Sequence, residues 1–289
     1  MDIDKCRVLL CVLDTGNLSG AAEKLGYTPS GISRMMASLE EETGFPLLYR
    51  SRTGIAPTEA CRRLLPVIRE MARLGEVYRQ QAENMRGLLV GTVRIGTAYS
   101  CYYSLLGEII SAFSRKYPGV KVELQENFST PLAGALSRHE IDLALISRRE
   151  GDFDWIPLAE DSLIVWVPED FMKGEAVYPV KRLETDPFIE IFPGSESDNA
   201  RFFKGEHITP RVKYSALTTF SAWSMVDAGL GVTLTNSLYR NSWHGRVRTM
   251  ALDVEYKVPI GIAAAKKETR SPAAEKFTEE LLRHVNCKS

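Results

Sequence analysis

The stretch Thr15–Glu40, TGNLSGAAEKLGYTPSGISRMMASLE, decides how the chain begins. It has the form of two short helices joined by a tight turn. Ala21, Ala22 and Leu25 fall on one face of the first helix, and Gly26 follows where a helix must stop and turn. Thr28 can cap the next helix, and Pro29 fits its first turn, where a missing N–H costs nothing. Ile32, Met36 and Leu39 recur at helical spacing and predict a core-facing stripe. Thr28, Pro29, Ser30, Ser33 and Arg34 gather at the start of this second helix, with Ser30, Ser33 and Arg34 turned away from the stripe. A helix-turn-helix recognition helix presents its base-reading residues at that end. These five are therefore candidate DNA contacts.

A glycine turn between helices also suits a plain helical hairpin, and the residues that follow separate the two. Gly44–Arg52, GFPLLYRSR, has the form of a β wing carrying Arg50 and Arg52, two further candidate DNA contacts. Thr58-Glu59-Ala60 then caps a long helix. The ordered set of Ala21-Ala22, Ser33-Arg34, Leu39-Glu40, Gly44, Leu47-Leu48-Tyr49-Arg50 and Thr58-x-Ala60 resembles the N-terminal domain of LysR-type transcriptional regulators. The resemblance runs without gaps over roughly residues 3–65. Met35 stands where that family often carries Gln, which bears on base preference. Cys61 stands where it usually carries Gly, which bears on local helix packing. The resemblance implies a winged helix-turn-helix over residues 1–58, double-stranded DNA as partner, and a palindromic operator bound by a dimer.

At 289 residues the chain is long enough for about two domains, each with its own core. With 44% hydrophobic and 25% charged residues it has the composition of an ordinary globular protein. A net charge of −1 excludes a polyanion binder acting through bulk charge. Even the N-terminal module is balanced, so affinity for DNA must rest on where the arginines sit and on dimerisation. The early apolar run Val8–Leu13 is shorter than a signal-peptide core, and no run approaches the ~20 apolar residues that span a bilayer. A cytoplasmic location with no membrane partner is expected. The five cysteines are spread widely with no CxxC, and the four histidines are isolated. Neither a disulfide scaffold, a metal site nor a cofactor is expected.

Residues 59–86 carry one helical pattern with no loop signal. Leu64, Ile68, Met71, Gly75, Tyr78, Ala82 and Met85 alternate by steps of four and three, which is a heptad seam. The seam predicts dimerisation, the alternative being that the stripe packs on its own domain. Linker and hinge together span residues 59–90, with Gly87 and Gly91 marking the hinge.

From residue 92 strands alternate with helices, which implies an α/β domain with a parallel sheet. The expected strands include Thr92–Thr97, Val120–Gln125, Ile141–Ile146, Leu163–Val167, Phe188–Ile191, Val212–Tyr214, Val232–Leu234, Val247–Leu252 and Val258–Ala263. Two such series suggest two lobes with a cleft between them, where α/β sheets bind ligands at strand ends. Tyr117-Pro118-x-Val120, Ile141-Asp142-Leu143-Ala144 and Asp227-Ala228-Gly229-Leu230-Gly231-Val232 resemble the effector domain of the same family. That resemblance implies a periplasmic-binding-protein-like fold over residues 91–289. Lobe I is expected at about 91–161 and 265–289, and lobe II at about 162–264. Thr235-Asn236-Ser237 stands where the family usually carries Pro.

No GxSxG, HExxH or GxxxxGK[ST] occurs, and Gly229-x-Gly231 is too short for a dinucleotide fingerprint. No enzyme is expected. Four loops that open helices are rich in hydroxyls: Thr97–Cys101, Ser129-Thr130, Gly194–Ser197 and Thr218-Thr219. Free N–H groups and hydroxyls at helix starts favour an anion, though the same residue types serve as plain caps. The family resemblance places inducer contacts at the first, second and fourth of these loops. Candidate effector contacts are therefore Thr97, Tyr99, Ser100, Cys101, Phe128, Ser129, Thr130, Ser195, Thr218 and Phe220. The aromatics among them suit a flat ligand, and the hydroxyls suit a small carboxylate held without any Lys or Arg. Cys101 opens a helix, where a thiol pKa can fall, but with no paired cysteine a pocket-lining role is preferred to redox sensing.

The expected protein is a ligand-responsive transcriptional regulator, a homodimer or homotetramer, that binds DNA and a small effector. The rival is a DNA-linked enzyme or a solute carrier. A missing acid–base or nucleophile–base pair weighs against the first, and the fused N-terminal helices weigh against the second.

Overall fold

The computed structural model describes residues 2–51 and 54–286, and Arg52 and Cys287 lie outside the described residues. The chain opens with three helices, α1 (Ile3–Thr15), α2 (Leu18–Leu25) and α3 (Pro29–Thr43), followed by a hairpin of β1 (Leu48–Ser51) and β2 (Gly54–Pro57). Each start is capped by a short polar side chain. Asn17 accepts from the N–H of Gly20, and Thr28 from that of Gly31. Gly26 ends α2 in the left-handed conformation at φ +70, which a β-carbon would strain. Leu9, Ile32, Met36, Leu39 and Leu47 close a common core. Glu40, on α3, accepts from the N–H groups of Leu47 at 2.7 Å and Leu48 at 3.0 Å and so fixes the base of the hairpin to that helix.

Helix α4 (Glu59–Met85) is capped by Thr58, whose hydroxyl donates to Pro46 O and accepts from Cys61 N. The expected seam splits along it. Ile68 is 1% exposed and buried in the winged-helix core, and Leu64 and Met71 pack against the same core. Gly75 lies so close to α1 that a β-carbon there would fall 2.4 Å from Ile3 Cγ2. At the other end Tyr78 is 72% and Met85 90% exposed. The cause is tertiary: α1 packs on α4, where Ile3 closes against Gly75, and Tyr78 and Met85 lie beyond that contact. Ile68 and Met71 are thus corrected from dimer contacts to intraprotomer packing. Val67, Leu74, Tyr78 and Met85 make the stripe left in solvent, within about 40° of one another around the helix at its usual turn.

The remainder comprises β3 (Gly91–Thr97), α5 (Tyr103–Lys116), β4 (Val120–Glu126), α6 (Ser129–Ser137), β5 (Leu143–Ser147), β6 (Asp154–Pro168), β7 (Val177–Tyr178), β8 (Phe188–Ile191), α7 (Asp198–Glu206), β9 (Val212–Ala216), α8 (Thr219–Asp227), β10 (Thr233–Asn236), β11 (Val247–Leu252), β12 (Lys257–Ala264) and α9 (Pro272–Asn286). The two lobes share one sheet, in the order β4-β3-β5-β12-β6-β11-β7, with β10 also on β6. The sheet is mixed, a correction to the all-parallel expectation. Strands β3, β4 and β5 run parallel, whereas β12 is antiparallel to β5 and β6, and β10 and β11 are antiparallel to β6.

The expected lobe boundaries shift for the same reason. The first half of β6 pairs with β12 and its second half with β10 and β11, so this strand runs from lobe I into lobe II. Strand β12, assigned to lobe II from the sequence, returns beside β5 in lobe I. Lobe I closes around Val93, Phe113, Leu143 and Phe277, and lobe II around Trp166, Tyr178, Phe188 and Phe202. The Gly229-x-Gly231 pair is a tight helix-to-strand turn. Gly229 has φ +78, and a β-carbon on Gly231 would fall 2.2 Å from Pro187 O.

Candidate functional site

At the helix-turn-helix end, the expected DNA contacts Thr28, Pro29, Ser30 and Arg34 are exposed around the start of α3, and Ser33 is half-buried beside them. The apolar side of α3 is spent on the core through Ile32, Met36 and Leu39. Only the polar side is therefore left to meet a partner. Arg50 is exposed on β1, opposite Ile55 in the hairpin. The N–H of Ile55 donates to Gly16 O at 2.8 Å, which ties the wing to the end of α1. Recognition helix and wing are both anchored to one rigid core.

The second site lies between the lobes. A hollow of about 50 Å³ is lined by Tyr99, Phe128 and Ser129 from lobe I and by Phe192, Asp198 and Tyr239 from lobe II, among others. Such a volume holds no more than a few waters, at roughly 10–15 Å³ of probe volume each. Phe128 and Phe192 meet across it with ring centres 5.3 Å apart. Tyr239 accepts from the N–H of Ser100 at 3.0 Å, and burial pushes its phenol up to about 12.

The chemistry of this cleft centres on three residues that the sequence reading passed over. Asp198, the first residue of α7, carries its carboxylate into a set of lobe I donors. Its Oδ1 lies 2.8 Å from Ser147 Oγ and 3.0 Å from Arg149 Nη2, and its Oδ2 accepts from Tyr99 Oη at 3.2 Å. The Arg149–Asp198 pair is shielded, with side chains 9% and 14% exposed. Arg149 is fully engaged. Its Nε donates to Thr130 Oγ1, Nη1 to Ser147 Oγ and Arg148 O, and Nη2 to Asp198 and, at 3.4 Å, Glu196 O. That accounts for all five N–H groups of a guanidinium. Burial first and the neighbouring Asp198 second hold the Tyr99 phenol well above its ordinary range, so Tyr99 stays a donor.

Most of the expected hydroxyls have local duties instead. Ser129 Oγ lies 2.9 Å from Ser147 Oγ and accepts from Ser147 N. Thr97 Oγ1 is buried and bonded to the Tyr99 backbone. Ser195 Oγ donates to Phe192 O in its own turn, and Thr218 caps α8 through Ser221. Phe220 stacks on Trp223 outside the hollow. Cys101 packs against the lobe II core, and burial pushes its thiol up to about 11, the opposite of the lowering considered from sequence. Ser195, Thr218 and Phe220, expected as cleft contacts, do not line the hollow in this arrangement of the lobes. Ser147 and Arg149 could have been found: one ends the buried strand β5 and the other lies two residues beyond it, where α/β sheets place ligand contacts. Asp198 carried no such signal, since it sits where an ordinary first-turn acid would.

Among the described residues no group of three or more His, Cys, Asp or Glu is placed to hold a metal, and no helix is long and apolar enough to cross a membrane.

Comparison with known proteins agrees with both halves. Residues 3–62 match the model of the bacterial regulatory helix-turn-helix protein, lysR family, and residues 86–286 match the LysR substrate binding domain. The probable HTH-type transcriptional regulator LrrA of Synechococcus elongatus is 31% identical, over 97% of this chain and 96% of its own. In fold the chain is similar to a full-length OxyR variant from Pseudomonas aeruginosa, with a TM-score of 0.76 at 19% identity, covering 99% and 95% of the two chains. It is also similar to CbnR, a LysR family transcriptional regulator, with a TM-score of 0.65 at 21% identity, covering 99% of each chain.

Proposed function

The chain belongs to the LysR family of DNA-binding transcriptional regulators, with a substrate-binding domain and not an enzyme's active site, and from that premise we propose that it senses a small organic acid between its lobes. The observation that carries this reading is the convergence of Tyr99, Ser147 and Arg149 on a single carboxylate in a narrow cleft. Charge-assisted hydrogen bonds of this kind are about twice as strong as neutral ones. A site that stabilises a carboxylate against desolvation does not suit an amine or a neutral sugar. Phe128 and Phe192 offer flat apolar walls for the rest of the ligand.

Binding can shift the protein only by the difference in ligand affinity between two arrangements of the chain. Opening of the cleft supplies such a pair of arrangements, because ligand pockets run to about 300–1,000 Å³ and the present hollow is far smaller. At the other end, Thr28, Pro29, Ser30, Ser33 and Arg34 read a palindromic operator, and Arg50 with Arg52 holds the wing to the backbone. Two protomers meet along the exposed stripe of α4 as a homodimer, the unit from which a tetramer is built. Cytoplasmic action follows from a DNA partner.

The test is a thermal-shift screen of small organic acids against amines and sugars, with every hit checked by its effect on binding to a selected operator. Stabilisation by acids that also alters operator binding supports the reading. Stabilisation by amines or sugars alone defeats the acid assignment and leaves the regulator itself in place.

A further inference from the structure

We propose that lobe I carries a carboxylate seat built from Tyr99, Ser147 and Arg149, that Asp198 of lobe II fills this seat in the free protein, and that an acidic effector acts by taking the place of Asp198. The proposal rests on the effector reading above only for the identity of the incoming acid.

Three observations carry it. First, every donor of the seat belongs to lobe I, while the carboxylate belongs to lobe II, on the first turn of α7. The contact is therefore a bond between lobes that the protein can break by moving one lobe against the other. Second, the seat treats Asp198 as a ligand. Both carboxylate oxygens are engaged, by a guanidinium, a hydroxyl and a phenol. Thr130 and Arg148 fix the guanidinium in turn. A seat so positioned by its own lobe survives the departure of Asp198 with its donors still aimed. Buried donors left unpaired carry a desolvation penalty, so the emptied seat calls for another anion.

Third, the Arg149–Asp198 pair stands as a wall between two spaces. On one side is the inner hollow of about 50 Å³. On the other is an opening of about 850 Å³ lined by the cations Arg148, Arg149, Arg201 and Lys204 and by the carboxylates Glu150 and Glu196, among others. The excess of cations in that opening draws acids toward the wall. Further interlobe bonds flank it, from Thr130 Oγ1 to Glu196 O at 2.8 Å and from Arg201 Nη1 to Arg148 O at 3.1 Å. A carboxylate arriving from the opening meets Arg149, exchanges with Asp198, and frees α7 to swing while its own body parts the packed rings of Phe128 and Phe192.

The experiment empties the seat and offers it a free carboxylate. Full-length Asp198→Ala, Asp198→Asn and parent protein are titrated with sodium acetate. Sodium chloride at matched ionic strength and neutral acetamide serve as controls, and the thermal midpoint is read. Asp198→Ala should be stabilised by acetate in a saturable way, at concentrations at least tenfold below those that affect the parent. Asp198→Asn, which keeps the shape but not the charge, should fall between them and covers the case in which the alanine variant fails to fold. Adding Arg149→Gln to either variant should abolish the acetate response. Equal responses to acetate and chloride, no difference among the three proteins, or a response that survives Arg149→Gln would overturn the seat. An acetate response with no organic acid bound by the parent keeps the seat and defeats the effector reading. An acid bound by the parent, with folded variants indifferent to acetate, does the reverse.

Discussion

Replacing Leu74 by alanine should weaken the dimer while leaving the protomer's fold intact, and Ile68→Ala should do the opposite. Leu74 keeps 49% of its surface in solvent and lies on the outer face of α4 with Val67, Tyr78 and Met85. Full burial of a leucine is worth about 1.5–3 kcal/mol, so covering the exposed half contributes about 1 kcal/mol per protomer. Both partners lose it in the variant, which makes about 2 kcal/mol per dimer, or roughly a thirty-fold rise in the dimer Kd. Ile68 is 1% exposed within the winged-helix core. Its truncation should cost about 2–5 kcal/mol of folding stability through lost burial and a cavity. Sedimentation equilibrium over a concentration series reads the dimer constant, and a thermal melt reads the fold. An unchanged dimer constant for Leu74→Ala would refute the outer stripe as the interface. So would an Ile68→Ala protein that melts like the parent but dissociates more readily.

The DNA end and the thiol give three more tests. Arg34→Ala should weaken operator binding by about 1–3 kcal/mol, the worth of one bidentate base contact, with a much smaller loss on random DNA at the same salt; equal losses on both would reduce Arg34 to a phosphate contact. Arg50→Ala should weaken all sequences alike and lower the salt slope by about one unit, and an unchanged slope in a salt titration of affinity would remove the wing from the interface. Cys101, with its thiol at about 11, is protonated in the folded protein at pH 8, with roughly one thiol in a thousand ionised. Its alkylation by iodoacetamide should be slow there and rise only toward pH 11 or on unfolding, and rapid labelling of the native protein at pH 8 would contradict its burial.

The winged helix was legible because its signals are local. A cap at Thr28, Pro29 behind it, a glycine stop at Gly26 and a stripe of Ile32, Met36 and Leu39 each act within a turn or two of chain, and each stands in the structure where its neighbours in sequence require. The α4 seam was half legible for a related reason. A heptad is a local pattern, but which face of a 27-residue helix is covered depends on α1, which is distant in sequence. Gly75 shows this most directly: in sequence it is one position of the seam, whereas in the fold it is the point where Ile3 of the same protomer closes in.

The cleft shows where local reasoning stops. A serine or threonine at a helix start satisfies the backbone of its own turn whether or not a ligand is near, so hydroxyl-rich loops reported helix starts and little more. Thr218 and Ser195 are spent in this way. The groups that define the cleft are charged, and their meaning depends on tertiary pairing. Arg149 follows a buried strand and Asp198 opens a helix 49 residues later, and neither is unusual alone. Brought together, they replace the idea of a seat without cations by one with a guanidinium at its centre. Under the proposed displacement the same pairing turns a question of affinity into one of competition: an acid effector is matched against a carboxylate the protein already holds, so its apparent affinity is set by the strength of its own contacts less those of Asp198.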